Sequence, residues 1–361
     1  MSMRCWRSPR NSAVRDDRRS MNSPAPARAE APDPVETRSA LPLASMLLIG
    51  FNQEATIAEA IAGALAQTYQ PLEIVISDDA STDGTFAAMQ RAVAGYAGPH
   101  TVRLNRNPVN LGIGAHLSRL VELSRGEMLF VTAGDDVSLP ARCERVMRSW
   151  QEHGRRPDLI ATALTDIDAQ GVDHGAIVPS DLADYRSAAD WLARPPFVVG
   201  AAQAWTRRLF DRFGPLRPGV VGEDLILVLR AIGSGGAITL AEPLVRYRRG
   251  GVSRRVRNLH AADVVARLRK SSRGALAELP QLLADTAVMG QLAAVEPTLR
   301  RRLARAQFVH DVFAADTAGA KLRVLWRAHD VALATRLRIG VYAVCPGLYA
   351  PFFFVKRLVR R

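Results

Sequence analysis

The chain has 361 residues, 48% of them apolar, and a net charge of +13. That length can bury a large core without covalent staples, and its three cysteines, Cys5, Cys143 and Cys345, lie far apart with no Cys-x-x-Cys, which supports neither a disulfide framework nor a structural zinc site and fits a reducing cytosolic setting. The charge divides as +3 over residues 1–40, −5 over 41–240, +7 over 241–320 and +8 over 321–361, so the acidic middle lacks the basic, aromatic-interleaved stripe of a nucleic-acid binder.

Residues 1–40 are rich in Arg, Ala and Pro, contain no apolar run of signal-peptide length, and read as a disordered leader. Order is expected from Leu41. The continuous apolar run from Ser45 to Phe51 ends at Asn52, as a strand buried on both faces should. Ile57, Ala60, Ile61, Ala64 and Leu65 then recur at helical spacing, and Leu72 to Ile76 forms a second strand that runs into Ser77-Asp78-Asp79. Strand, helix and strand in so short a span make a βαβ unit and hence a parallel sheet, whose ligands sit beyond the carboxyl ends of the strands. The pattern repeats in outline. A helix runs to about Gly95, a short strand covers 101–104, a turn at 107–115 opens a helix to Leu123, and a strand over 128–132 ends on Gly134-Asp135-Asp136. Pro140 to Glu152 reads as the next helix.

Three acidic clusters stand out: the loop Asp78-Asp79-Ala80-Ser81-Thr82-Asp83-Gly84-Thr85, the pair Asp135-Asp136, and Glu223-Asp224 before the apolar run Leu225–Leu229. Any one alone reads as a turn or a helix cap, because short carboxylates accept hydrogen bonds from nearby backbone N–H groups. Three in this order suggest an α/β enzyme that holds a nucleotide and a divalent metal and keeps a further carboxylate as a base. Asp166-Ile167-Asp168, followed by Ala-Gln-Gly, reads instead as a hairpin turn, and Trp205 as core more than as a sugar platform.

Residues 43–255 resemble a family-two glycosyltransferase with the nucleotide-sugar-binding GT-A fold. The resemblance rests on Gly50-Phe51-Asn52, the Asp78–Thr85 loop, Asn110-Leu111-Gly112, Gly134-Asp135-Asp136, Gly222-Glu223-Asp224 and the closing segment Tyr247–Ser253. It implies an α/β architecture with a mostly parallel central sheet flanked by helices, and an inverting transfer of a sugar from a nucleotide-diphosphate donor, a UDP-sugar foremost, to a hydroxyl acceptor in cell-surface polysaccharide or lipid-linked oligosaccharide synthesis. By the same resemblance Asp79 accepts a ring N–H of the base, Asp78 supports the loop, Phe51 and Asn52 border the base, Asp135 takes the ribose and Asp136 holds Mn²⁺ or Mg²⁺. Asp224 becomes the base and Glu223 its orienting partner. Where the family often has a third acid this chain has Val137, which leaves one protein ligand and weak metal binding without substrate. Arg248 and Arg249, with Arg254, are candidates for the diphosphate, since guanidinium groups bind phosphate bidentately.

Residues 256–335 carry amphipathic helical patterns and no motif, and are expected to form helices packed on the transferase core or on a second subunit, which leaves a homo-oligomer open. Ile339 to Val355 is uncharged but holds Pro346 and Pro351, and Lys356, Arg357, Arg360 and Arg361 follow. The prolines disfavour a span, so residues 336–361 read as an interfacial anchor on the inner face of the cell membrane. Two other classes compete. A nucleotidyltransferase acting on sugar phosphates should show a Gly-rich basic loop after the first strand, where this chain has Gly50-Phe51-Asn52-Gln53-Glu54. A non-catalytic carbohydrate- or membrane-surface-binding module would not need Asp136 and Asp224.

Overall fold

The apolar runs of the amino-terminal half form the parallel strands that their composition requires. A computed structural model of the protein describes residues 41–249 and 260–349. The expectations for the leader, for Gly250 to Arg254 and for the basic end of the tail lie outside the described residues.

Four strands, β1 (Ala44–Gly50), β2 (Leu72–Asp78), β3 (Thr101–Arg106) and β4 (Met128–Ala133), pair in parallel in the order β3-β2-β1-β4. The helices α1 (Ile57–Leu65), α2 (Thr85–Val93) and α3 (Ile113–Leu123) make the crossovers. Beyond β4 the sheet becomes mixed. After the short β5 (Val137–Ser138) and α4 (Arg142–Glu152) come β6 (Leu159–Ile167), β7 (Asp173–Ile177), α5 (Ala188–Ala193) and β8 (Gln203–Thr206). Then follow α6 (Arg207–Phe213), α7 (Glu223–Ile232) and β9 (Ala237–Arg248). The full order is β3-β2-β1-β4-β8-β6-β9-β5, with β8 antiparallel to both neighbours and β9 parallel to β6. Parallel pairing therefore dominates the amino-terminal half, while the insertion of β8 makes the other half mixed.

Successive strand residues point to opposite faces, which explains why the strands are apolar throughout. Met46, Leu48, Ile74, Ile76, Met128 and Phe130 meet α1, α2 and α4 on one face, whereas Leu47, Val75, Leu129 and Val131 meet α3, α6 and α7 on the other. Trp205 belongs to this second cluster, 1% exposed and stacked on Phe210, which is the core role expected of it. The Asp166–Gly171 reading also holds: β6 and β7 form a hairpin in which Asp168 accepts the N–H groups of Gln170 and Val172, each at 2.9 Å.

Four helices follow: α8 (Ala261–Val288), α9 (Leu292–Ala314), α10 (Ala318–Arg327) and α11 (Leu333–Val344). Leu279 and Leu282 of α8 and Val295, Leu299 and Ala306 of α9 join the cluster beneath α7. That burial carries α8 through Pro280 and α9 through Pro297. The far end of α9 with α10 and α11 forms a separate small cluster around Phe308, Val312 and Ile339.

Candidate active site

The loop after β2 is a hydrogen-bonded frame. Asp78 is fully buried, accepts the Ser81 N–H and pairs with Arg106 at 3.1 Å. Asp79, 3% exposed, accepts from Asn107 Nδ2 (2.8 Å) and from the backbone N–H groups of Leu111 (2.9 Å) and Gly112 (3.0 Å). The carboxylate thus organises the turn that opens α3, and its Oδ2, with one donor, keeps a free lone pair. Asn52 stitches this loop to the end of β1: its N–H donates to Ser81 Oγ at 2.9 Å, and its Oδ1 accepts from Thr82 N at 2.9 Å. Both Asn52 (φ 52°) and Ala80 (φ 58°) occupy the left-handed region, which costs an alanine roughly 1–2 kcal/mol. Phe51 stands beside them, 45% exposed, as an apolar wall open to solvent.

At the end of β4, Asp136 is 2% exposed and its Oδ1 accepts the Arg248 N–H at 2.8 Å. Its pKa is pushed up to about 8, first by burial and then by the adjacent charge of Asp135, against the backbone bond and Arg142 and Arg248. Burial also raises Asp135, with a Gln53 hydrogen bond opposing. Adjacent acids, of which Asp135 by its charge raises the proton affinity of Asp136, are an oxygen-donor pair that suits a hard cation. No group of three or more His, Cys, Asp or Glu side chains able to hold a metal occurs among the described residues. The pair therefore fits a cation that takes most of its ligands from substrate phosphate and water.

Arg248 is committed to the protein. Its guanidinium donates to Glu59 and to the backbone oxygens of Asp135, Asp168 and Ala169, so it braces the Asp135–Asp136 turn from behind. Arg249 is paired with Asp166 on the surface. A third arginine, not singled out from the sequence, is more central. Arg142 is completely buried, donates to Ser138 Oγ (2.9 Å), Val131 O (2.9 Å) and Gln203 O (3.2 Å), and its charge acts on Asp136. Burial lowers its pKa to about 10.

Glu223 and Asp224 open α7. Glu223 is 7% exposed and its Oε2 has no hydrogen-bond partner. Its pKa is pushed up to about 8, by burial first, then by Asp224 and by Glu278. Burial and Glu278 also raise Asp224, opposed by the Leu225 N–H that it accepts at 2.8 Å.

The turn Gly200–Ala202 joins the two acidic pairs. It leads into β8, whose register against β4 (Phe130 opposite Ala204) sets it beside the strand end that carries Asp135 and Asp136. On its other side a Cβ on Gly200 would lie 3.3 Å from Glu223 Oε1 and 3.5 Å from Asp224 Cβ. Gln203 spans the gap: its carbonyl receives Arg142 and its Nε2 donates to Asp224 O at 3.2 Å. The backbone at Gly200 thus closes directly on the carboxylates of α7. Gln203 and Arg142 escaped the sequence reading because a single Gln or Arg inside an element carries no motif.

Residues 45–162 match the family model described as Glycosyl transferase family 2. The putative glycosyltransferase EpsE of Bacillus subtilis is 32% identical over 139 residues, 38% of this chain and 49% of that protein, so the chain spans about half of its length. The succinoglycan biosynthesis protein ExoO of Rhizobium meliloti is 27% identical over 250 residues, 63% of this chain and 67% of that protein. Among solved structures, S. aureus TarS 1-349 in complex with UDP-GlcNAc aligns with a TM-score of 0.49 at 15% identity, covering 85% of this chain and 91% of that one. The acidic loops at the carboxyl ends of β2 and β4 both fall within residues 45–162, so the stretch that carries them is the one that matches the family-two glycosyltransferases.

Proposed function

We propose that the protein is an inverting transferase that moves a sugar from a nucleotide-diphosphate donor to a hydroxyl acceptor, in the assembly of a cell-surface or lipid-linked glycan. The observation that carries this reading is the pair of carboxylate sites on either side of the Gly200–Ala202 turn, one suited to a cation and one to a proton. Phe51, Asn52 and the Asp78–Asp79 loop would border the base, with Asp79 Oδ2 as its acceptor, and Asp135 would face the ribose. Asp136 would hold Mn²⁺ or Mg²⁺, which when bound neutralises charge gathering on the departing diphosphate.

Proton transfer falls to α7. Burial raises the proton affinity of both acids, and of the two Glu223 is the more enclosed, so Asp224 is assigned the role of the carboxylate and Glu223 that of the acid. Such a division separates two adjacent groups into distinct roles. Asp224, its affinity raised toward working pH, would remove the acceptor hydroxyl's proton as the oxygen attacks the anomeric carbon, and Glu223 would donate a hydrogen bond that orients the acceptor. Direct attack with one base and no nucleophilic side chain inverts the anomeric centre. The helix α7 fixes both side chains at its first turn.

A panel of nucleotide sugars, UDP-sugars first, tests the proposal by thermal shift and by nucleoside-diphosphate release with and without Mn²⁺. A cognate donor at 100 times its Kd stabilises the fold by about 2.7 kcal/mol. No shift and no release across the panel would sink the reading.

Membrane contact would suit a lipid-linked acceptor. No helix among the described residues is long and apolar enough to cross a bilayer. Leu322 and Trp326 on α10 and Leu333 and Leu337 on α11 are more than half exposed, although each helix also buries an apolar face in the cluster around Phe308. Arg323, Arg327 and Arg338 accompany them, and the surface is proposed to lie on anionic lipid.

A further inference from the structure

The connection between α6 and α7, residues 214–222, has no regular structure, yet it sets where Glu223 and Asp224 stand. Its middle is pinned by α3, where Ser118 Oγ accepts the Leu216 N–H at 3.0 Å. One face of α8 holds the rest. Glu278, Gln281 and Asp285 recur at intervals of three and four, so they align along that face. Glu278 Oε1 accepts the Gly222 N–H at 3.0 Å, and Gln281 Oε1 accepts the Arg217 N–H at 3.0 Å. Asp285 takes both Arg230 Nε (2.7 Å) and Nη2 (3.2 Å), while Arg230 Nη1 donates to Gly214 O (2.9 Å) and Gln281 Nε2 to Asp285 Oδ1 (2.8 Å). Gly219, with φ 83°, passes so close that a Cβ there would lie 3.3 Å from that of Ala277.

Gly222 is the residue before Glu223, and the N-terminus of α7 has no side-chain cap of its own. The Glu278 carboxylate takes that place from another helix. We propose that Glu278 is a positioning residue of the active site, which seats the Gly222–Asp224 turn by accepting the Gly222 N–H. From there its carboxylate also faces the two acids that open α7. This rests on the transferase reading for its kinetic consequences but not for its electrostatic ones. Asp224 and Glu278 are the charged groups that act on Glu223, since the Gly200–Ala202 turn approaching it from the other side carries none. For Asp224 the charged influence is Glu278. The carboxyl-terminal helices thereby support the active-site turn from outside, and none of their side chains need touch the sugar.

Two variants of the full-length protein separate placement from charge. Glu278→Gln keeps an oxygen that can accept the Gly222 N–H and removes the charge. Glu278→Ala removes both. Carbon-13 NMR titration of the Glu223 carboxyl should show it losing its proton at lower pH in Glu278→Gln than in the wild type, and the acid limb of the kcat profile should move to lower pH with a plateau near wild type. In Glu278→Ala the plateau itself should fall by up to about 10²-fold, as for a misplaced catalytic group, with donor KM unchanged. An unmoved Glu223 titration in Glu278→Gln overturns the proposal, as does wild-type kcat in Glu278→Ala. If Glu278→Ala fails to fold, the Glu278→Gln titration decides alone. Should the wild type turn over no nucleotide sugar, the transferase reading fails while the titration still answers for Glu278.

Discussion

Glu223 and Asp224 are adjacent, yet one is sealed against the turn at Gly200 while the other is partly open and accepts a backbone N–H. The base is therefore expected at Asp224. Asp224→Asn should lower kcat by roughly 10²–10⁴-fold and leave nucleotide affinity near wild type, measured by turnover and by calorimetric titration. Collapse of nucleotide binding would assign Asp224 to the donor site instead. Asp136→Asn should show the complementary pattern: the fold retained, most activity lost, and no recovery on raising Mn²⁺, because an amide supplies no anionic ligand. Wild-type turnover across the Mn²⁺ series would remove Asp136 from that role.

The same burial makes stability depend on pH. Glu223 and Asp136 rise from ordinary values of 4.5 and 3.8 to about 8 in the folded chain. The folded state thus binds more protons than the unfolded one between these limits, and this contribution is full below about pH 4 and lost as pH rises through about 8. The melting temperature should accordingly fall between about pH 4 and pH 8, and Glu223→Gln should flatten the slope. A slope identical in the variant would show that Glu223 is not buried with its proton.

At the scale of elements, α7 and α8 are joined by the Arg230–Asp285 pair, both side chains almost wholly buried at 0% and 2% exposure. Removing one partner of such a pair strands a charge in the core. Asp285→Ala should therefore cost about 3–5 kcal/mol in denaturant unfolding, far more than any surface ion pair such as Arg119–Glu122. A loss below about 1 kcal/mol would mean that water reaches Arg230. The βαβ units and the hairpin after Asp168 were legible from the sequence, because their apolar periods and turn residues are local. Glu278, Gln281 and Asp285 were not singled out, because three polar residues among leucines carry no motif and nothing local says that they meet the loop before α7.

For the whole molecule, the charge asymmetry finds a location. The basic carboxyl-terminal third includes α10 and α11, whose outward apolar residues Leu322, Trp326, Leu333 and Leu337 sit at four-residue intervals within each helix. Full-length protein should co-sediment with anionic vesicles, each basic side chain near the surface adding roughly 1 kcal/mol. High salt should weaken this only in part, since screening leaves the apolar contacts intact. Replacing Leu322 and Trp326 together by Ala should lower partitioning tenfold or more if each contributes about 1 kcal/mol or above on burial. Undiminished co-sedimentation of the double variant would move the contact to another part of the chain.

Sequence alone determined the parallel half of the sheet and the order of the acidic loops, because hydrophobic period, turn residues and strand-end carboxylates are properties of short segments. It also marked Asp136 and Asp224 as chemical candidates, through a resemblance carried by motifs. Only the tertiary structure decided what surrounds them. Burial depends on which elements pack together, so the raised proton affinities of Asp136 and Glu223, the commitment of Arg248 to the Asp135–Asp136 turn, and the roles of Arg142 and Gln203 all depend on contacts between different elements, as when Arg142 of α4 reaches Gln203 of β8. The same holds for Glu278, 56 residues from Gly222 in sequence and 3.0 Å from it in the fold. A carboxylate's residue type is written in the chain, but its charge is set by the dielectric and the neighbours that folding brings to it.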